Sequence, residues 1–132
     1  MGTVPVRFSL QIWALGDAVA TACDVVSRLA EKGCRVGVVN ARFVKPLDTA
    51  LLQRHLAAGV QLVTIENAAL AGGFGATVAE TVAAWPGRTL PLMRFGWPDE
   101  FIAHGPVDVL AREQGLAADQ IAERIFSSVS RQ

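Results

Sequence analysis

The sequence predicts an α/β fold, a three-layer α/β/α arrangement around a mostly parallel sheet of four to five strands. Two observations predict it. Short apolar segments alternate three times with helical patterns, and each connection between successive strands is long enough to contain a helix. Connections of that length join parallel strands by right-handed crossovers and place helices on both faces of the sheet.

The composition fits one domain and argues against several classes of function. A chain of 132 residues suits one core, and its 12 basic residues balance its 12 acidic ones, so we expect no nucleic-acid or membrane partner. Apolar residues make up 52% of the chain, which indicates that some apolar surface meets another domain or subunit. No long apolar run and no signal peptide are visible, so we expect a cytoplasmic location.

The first strand and helix follow from apolar periodicity and turn residues. Phe8 to Leu15 is predicted to be a strand, and about Ala18 to Glu31 a helix that Asp17 is placed to cap. The Lys32-Gly33 pair closes this helix. Its predicted apolar face comprises Val19, Ala22, Cys23, Val26, Leu29 and Ala30.

The two cysteines, Cys23 and Cys34, form no metal or redox motif. Cys23 falls on the predicted helix face and Cys34 at the entrance of the next strand. We therefore interpret both as buried free thiols, as in a cytosolic protein.

A second strand and helix come next. Arg35 to Asn40 is short and β-branched, which is typical of a strand. Asp48 is placed to cap a helix that starts at Thr49 and ends at Gly59. The prediction of this helix depends on its apolar residues Leu51, Leu52 and Leu56, and His55 is predicted to be a surface or boundary residue.

The stretch from Leu62 to Glu80 combines a strand, a carboxylate, a glycine turn and a helix. The apolar strand is expected to stop at Glu66, where the carboxylate can reach water near the positive N-terminus of the following helix. A helix is predicted from about Phe74 to Trp85, and we expect positive φ at Gly73. A purely structural turn is the alternative, because the glycines match neither the dinucleotide fingerprint nor a P-loop.

The last third contains one strand, one long loop and two helices. Leu90 to Phe95 is predicted to be the fourth strand, and Gly96 to Gly105 a structured loop. Helices are predicted from Val107 to Gln114 and from about Ala118 to Ser128.

Polar residues and glycines concentrate where the predicted strands end. The carboxyl ends of parallel strands meet at one edge of a sheet, which is where open α/β proteins meet ligands and partners. The sequence therefore predicts an edge that faces a protein interface or an anion. Its candidate residues are Asp17, Arg42, Glu66, Gly72, Gly73, Gly75, Asp99 and His104.

The chemistry of this edge stays open at the level of residues alone. A carboxylate with His104 could do acid–base work, but a structural or interface role is the alternative that we favour. Arg42 could bind an anion or pair with Glu66 or Asp99. No Ser/His/Asp order, zinc spacing or diphosphate–metal motif is present, so we assign no catalytic, cofactor-binding or metal residue.

Four ordered motifs resemble a known family. They cover the chain from about Leu10 to Ile125 and resemble the C-terminal domain of 1-deoxy-D-xylulose-5-phosphate synthases, within the transketolase C-terminal domain family. The chain departs from the usual pattern at Asn67, Ala68, Phe74, Ala103 and Ala117. The motifs are Ala41-Arg42-Phe43-Val44-Lys45-Pro46-Leu47-Asp48, Thr64-Ile65-Glu66, Gly72-Gly73-Phe74-Gly75 and Gly96-Trp97-Pro98-Asp99-Glu100-Phe101-Ile102-Ala103-His104-Gly105.

The resemblance implies that residues 1–132 form one domain of a three-domain enzyme. In that family the first domain holds thiamine diphosphate and magnesium, and the second supplies the glutamate that activates the pyrimidine ring. This domain is then expected to bind no cofactor alone, to pack against those two domains, to support a homodimer and to be silent by itself. The family fold also implies an antiparallel edge strand, for which Thr3 to Arg7 is available.

Two other functions stay open beside this one. The chain could be a stand-alone regulatory or anion-binding module that uses the glycine turn and Arg42. It could also be the separately encoded partner of a split thiamine-diphosphate enzyme.

Overall fold

Four parallel strands form the sheet in the computed structural model, which describes residues 9–41, 47–86, 92–99 and 104–130. The strand order is β2-β1-β3-β4, so β1 and β3 lie in the middle. The strands are β1 Ser9–Ala14, β2 Arg35–Asn40, β3 Gln61–Ala69 and β4 Met93–Trp97. The predicted α/β class with a parallel sheet is confirmed. The edge strand expected at Thr3 to Arg7 lies outside the described residues.

Helices connect and cover the strands. The described residues form α1 Ala18–Ala30, α2 Thr49–Ala57, α3 Phe74–Ala83, α4 Val107–Glu113 and α5 Ala118–Val129. The predicted helix boundaries agree to within two residues, whereas β4 begins later than expected and includes Gly96 and Trp97. Within these ranges no helix is long and apolar enough to cross a bilayer.

Alternating side chains of β1 divide the core into two clusters, one on each face of the sheet. Leu10, Ile12 and Ala14 pack with α1 and α5 on one face. Trp13 packs on the other face, with Leu52 of α2 and the side chains of α3. Successive residues of a strand point to opposite faces, so this division produces the predicted three layers.

Asp48 and Asp17 both precede a helix, but only Asp48 caps one. The Asp48 carboxylate accepts a hydrogen bond from the Leu51 amide at 3.1 Å, as predicted. Asp17 makes no capping hydrogen bond, because its φ of −69° and ψ of −12° are already helical. An N-cap residue normally has an extended backbone, so the expected cap at Asp17 is wrong.

The buried face of α1 is rotated by about one residue from the predicted one. Ala22 and Leu29 are buried as expected, but Val25 takes the core position and Cys23 is exposed. The expectation of two buried thiols therefore holds for Cys34, which is 5% exposed, and is wrong for Cys23. Residues 22 and 25 lie on the side of the helix that packs against the sheet and α5, whereas residue 23 lies outside that buried side.

His55 has a specific partner beneath α2. The indole nitrogen Nε1 of buried Trp13 donates a hydrogen bond to His55 Nδ1 at 3.1 Å, and the two rings meet edge to face. A buried indole N–H needs an acceptor, which only the neutral imidazole can provide. Burial, followed by the charge of Arg54, holds the pKa of His55 below its ordinary value.

We predict that acidification weakens the fold through this histidine. In the unfolded chain His55 titrates near pH 6.5, about the ordinary value, and in the folded chain at a lower pH. Between those values the unfolded state binds more protons, so the stabilisation is complete above about pH 6.5 and declines as the pH falls through that window.

Thermal unfolding of the wild type and of His55→Gln between pH 7.5 and 5 would measure this pH dependence. The difference in unfolding free energy between the two proteins should decrease toward acidic pH by about 1 kcal/mol, the value of one such hydrogen bond. A pH-independent difference would contradict the account.

Candidate functional site

The carboxyl ends of the strands form the edge that the sequence analysis singled out. The pairing register aligns Ala14 with Ile65, and Ala69 with Trp97, so the polar residues that follow lie at one end of the sheet. Glu66 and Gly75 are brought into direct contact there. Asp17, Asp99 and His104 are exposed, and Arg42 lies outside the described residues.

Glu66 does not end its strand and does not reach water. The strand β3 continues to Ala69, and the Leu70 amide donates to the Trp97 carbonyl at 2.9 Å. Pairing with β4 is irregular between Ile65 and Ala69, a local disruption that lets the strand continue beyond the carboxylate. Glu66 is only 4% exposed, so both the expected strand end and the expected contact with solvent are wrong.

The Glu66 carboxylate caps helix α3 instead. Its Oε2 atom accepts the backbone N–H of Gly75 at 2.7 Å, and the Phe74 amide also bonds to the carboxylate. The N-cap residue of α3 is Gly73, which has no side chain to act as an acceptor. A residue on the neighbouring strand therefore satisfies amides that a helix start leaves unpaired, and it places a negative group at the positive end of the helix. The expected proximity of Glu66 to this helix start is confirmed.

Burial decides the electrostatics of Glu66. Loss of hydration raises the pKa of this carboxyl, while the amides of Gly75 and Phe74 and the charge of Arg94 lower it by smaller amounts. The net shift is upward, so the site favours the neutral acid more than water does. A carboxyl that is buried in this way supports the start of the helix.

Gly75 is required by close packing against Glu66. A Cβ atom at position 75 would lie 2.6 Å from Glu66 Oε2, 2.8 Å from Thr64 Oγ1 and 2.9 Å from Arg94 Nε. A Cβ at Gly96 of β4 would lie 3.0 Å from Glu66 Cγ. Two glycines on different elements thus make room for one buried side chain.

Positive φ occurs at Gly72 and not at Gly73. Gly72 has φ of 69°, whereas Gly73 has φ of −88° and ψ of −167°, an extended conformation open to any residue. The expectation of positive φ at Gly73 is therefore wrong. The tight turn is made one residue earlier, and Gly73 then leads into the helix as its N-cap.

The sequence analysis did not identify Arg94, which binds the chain at the start of the glycine turn. Its Nη2 atom donates to the Leu70 carbonyl, so β4 holds the chain just before Gly72. Three buried polar atoms, Thr64 Oγ1, Glu66 Oε1 and Arg94 Nε, have no hydrogen-bond partner among the described residues, and Thr64 Oγ1 and Arg94 Nε lie close to Gly75. The sequence feature that could have indicated this role is a single arginine between two apolar residues of a strand, Met93 and Phe95.

The exposed candidates remain separate from this buried group. No hydrogen bond or ion pair joins Asp99 to His104, although the structure describes both residues, so the acid–base pair considered from the sequence is not assembled. Among the described residues no group of three or more His, Cys, Asp or Glu side chains could hold a metal ion.

A cleft of about 570 Å³ opens beside the buried group, between α1, α4 and α5 and the ends of β3 and β4. Most of the side chains that line it are apolar, and helices α1, α4 and α5 all begin at its border. The lining includes Ala18, Ile65, Trp97, Val107, Ala118 and Ile121.

We predict that Gly75→Ala destabilises the domain by about 1–3 kcal/mol, because the added methyl group overpacks the site around Glu66. Gly73→Ala is the matched control, since its backbone already suits alanine, and it should cost less than Gly75→Ala. Urea unfolding of the three proteins measures both effects. Equal losses at positions 73 and 75 would contradict the packing argument.

We predict that Glu66→Gln is at least as stable as the wild type at pH 7.5. Glutamine keeps an acceptor for the Gly75 amide without a buried charge. Because the folded pKa of Glu66 is raised, its stabilisation is complete below about pH 4.3 and is lost as the pH rises through the folded value.

Unfolding free energies of Glu66→Gln, Glu66→Ala and the wild type from pH 4 to 7.5 check this. Glu66→Gln should show a flatter pH dependence, whereas Glu66→Ala should be less stable because the amide loses its acceptor. A large loss in Glu66→Gln at pH 7.5 would show that the negative charge itself is needed.

Comparison with known proteins agrees with the fold. The family described as "Transketolase, C-terminal domain" matches residues 7–121. The chain is 42% identical over 124 residues to 1-deoxy-D-xylulose-5-phosphate synthase of Chlorobium luteolum, covering 94% of this chain and 19% of that protein. The synthase of Acidobacterium capsulatum is 38% identical over 122 residues, again with 19% of its length covered.

Solved structures show the same architecture. A split-gene transketolase, described as an inactive beta4 tetramer, superimposes with a TM-score of 0.80 at 27% identity over 97% of this chain and 42% of that chain. A transketolase of Pichia stipitis has a TM-score of 0.65 at 22% identity, covering 94% of this chain and 17% of that chain. The chain therefore belongs to the transketolase C-terminal domain family, and it spans about one fifth of the length of the curated relatives that it matches.

Proposed function

We propose that this chain is the C-terminal packing and dimer-supporting domain of a thiamine-diphosphate-dependent 1-deoxy-D-xylulose-5-phosphate synthase. That enzyme joins pyruvate and glyceraldehyde 3-phosphate to give 1-deoxy-D-xylulose 5-phosphate, a precursor of isoprenoids. The observation that carries the proposal is the 42% identity to such a synthase, over 94% of this chain but only 19% of the synthase. A domain matched at that level within a longer enzyme is expected to act as part of it.

The residues that the structure describes do not fit a site for magnesium and a diphosphate group, so we assign them no step of the reaction. Magnesium prefers carboxylate and other oxygen ligands, and no cluster of suitable side chains lies in the described ranges. The buried carboxylate of Glu66 is taken up by the amides of α3. We assign thiamine diphosphate and magnesium to the other domains, which are the partners of this one.

In this proposal the edge of the sheet is a contact surface. Gly72 and Gly73 shape the turn at the edge, while Glu66 and Gly75 support that turn from inside. The exposed residues Asp17, Asp99 and His104, together with Arg42, are the candidates for contact with the neighbouring domains.

The split-gene transketolase supports a second candidate function. Because its chain matches this one at 27% identity with a TM-score of 0.80, this domain could belong to a separately encoded subunit of the same kind of enzyme. The reading frame upstream distinguishes the two. A continuous frame with a Gly-Asp-Gly diphosphate–metal motif favours a fused domain, whereas a separate gene for that motif favours a split enzyme.

An independent anion-binding module has less support from the geometry. Its expected site was the glycine turn together with Arg42; at the helix start that follows this turn the Glu66 carboxylate already accepts a hydrogen bond, and Arg42 lies outside the described residues. An anion would have to approach that carboxylate or its neutral acid form. Calorimetry against phosphates, nucleotides and isoprenoid diphosphates should give no heat of binding at this site.

We predict that the purified chain forms no 1-deoxy-D-xylulose 5-phosphate from pyruvate and glyceraldehyde 3-phosphate, even with thiamine diphosphate and magnesium. The enzyme assembled with the remaining domains should form it, and deletion of this chain should abolish both activity and the dimer. Product assays and sedimentation measure these outcomes. Activity of the chain alone, or an undiminished enzyme without it, would contradict the proposal.

A further inference from the structure

Helix α4 exposes apolar side chains beside the cleft. Val107 is 67% exposed and Val109 is 49% exposed, and they are the large apolar side chains that stand exposed in the described part of the chain. Single exposed valines are common, but these two lie on the helix that borders the cleft. The apolar lining then continues inward through Ile65, Trp97 and Ile121. Val107 lines the cleft and so extends this apolar surface outward, whereas Val109, two residues further along the helix, points to another side of α4.

Among the described residues that line this cleft, the ionisable side chains are all carboxylates. They belong to Asp24, Glu66 and Asp108, and none of these described lining residues is Lys or Arg. Asp24 accepts from Arg28 at 3.1 Å, and Glu66 bonds to the amides of α3. Asp108 makes no hydrogen bond or ion pair with a side chain of the described residues. The cleft therefore offers an unpaired negative charge next to Val107.

Helix dipoles do not reverse this preference. The starts of α1, α4 and α5 border the cleft, and a helix start alone favours an anion. However, Asp108 stands at the start of α4 and lines the cleft, and Asp119 at the start of α5 already pairs with Arg112 at 2.8 Å. The Asp108 carboxylate opposes a second anion, so a cationic group is the complementary one.

We propose that the cleft binds a segment from another domain or subunit of the same enzyme, with an apolar side chain beside Val107 and a Lys or Arg paired with Asp108. This inference rests on the proposed function and names the surface through which the domain packs. A protein segment fits better than a small ligand, because the apolar surface extends out of the cleft over Val107, which lines the cleft and is still 67% exposed. The curated relatives supply the partner, since this chain covers only 19% of each.

The test places a photoreactive p-benzoylphenylalanine at Val107 in the assembled enzyme, whether fused or split. The matched control places it at Gln53, an exposed residue of α2 on the opposite face of the sheet. Irradiation and mass spectrometry should identify a cross-link from position 107 to a segment that contains Lys or Arg. The yield should exceed that at position 53 by about tenfold, as expected for a residue inside a specific contact.

A charge reversal tests the ionic half of the proposal. Asp108→Lys should lower the cross-link yield from position 107 by about tenfold, because like charges would face each other in the contact. Glu113→Lys makes the same charge change farther along the same helix and should leave the yield unchanged.

Several outcomes would overturn the inference. They are no cross-link above the control, a cross-link to the equivalent surface of a second copy, a cross-link to a segment without basic residues, and an unchanged yield in Asp108→Lys. Assays on the same preparations separate this failure from that of the proposed function. An active synthase without the cross-link refutes the docking surface alone, whereas an assembled protein that makes no 1-deoxy-D-xylulose 5-phosphate refutes the function.

Discussion

The hydrogen bond from the Gly75 amide to the buried Glu66 carboxylate connects the strand and the helix that meet at the carboxyl edge of the sheet. Helix α3 has glycine, Gly73, as its N-cap residue and therefore no capping side chain of its own, so its first amides depend on an acceptor from β3. The acceptor in turn needs Gly75 and Gly96, which leave space for it. One buried carboxyl therefore links the start of α3 to close packing against glycines of α3 and β4.

Support and contact are divided between different residues along the edge. Glu66 and Arg94 lie beneath the turn and hold it from two sides, through the Gly75 amide and the Leu70 carbonyl. The exposed residues, such as Asp17 and Asp99, have side chains free to meet another surface. This arrangement suits a domain that presents a rigid surface to its neighbours, because preorganised contacts lose less conformational entropy on binding.

The class of fold could be predicted from the sequence because periodicity and turn residues act locally. The cap at Asp48 was predictable for the same reason, whereas Asp17 has the same chemistry and fails only because its backbone is helical. The role of Glu66 was only partly predictable, since its partner lies nine residues along the chain and β3 pairs irregularly with β4 after Ile65. Packing against distant elements also decided which apolar face of α1 is buried, and with it the exposure of Cys23, as well as the contact of Arg94 with the Leu70 carbonyl.

The titration of Glu66 itself tests the central claim most directly. Carbon-13 NMR of the labelled side-chain carboxyl, recorded together with the Gly75 amide resonance, follows both ends of the hydrogen bond as the pH changes. The account predicts a pKa of Glu66 above the ordinary value, and a Gly75 amide shift with the same midpoint. A pKa at or below the ordinary value, or a Gly75 amide that does not respond, would contradict it.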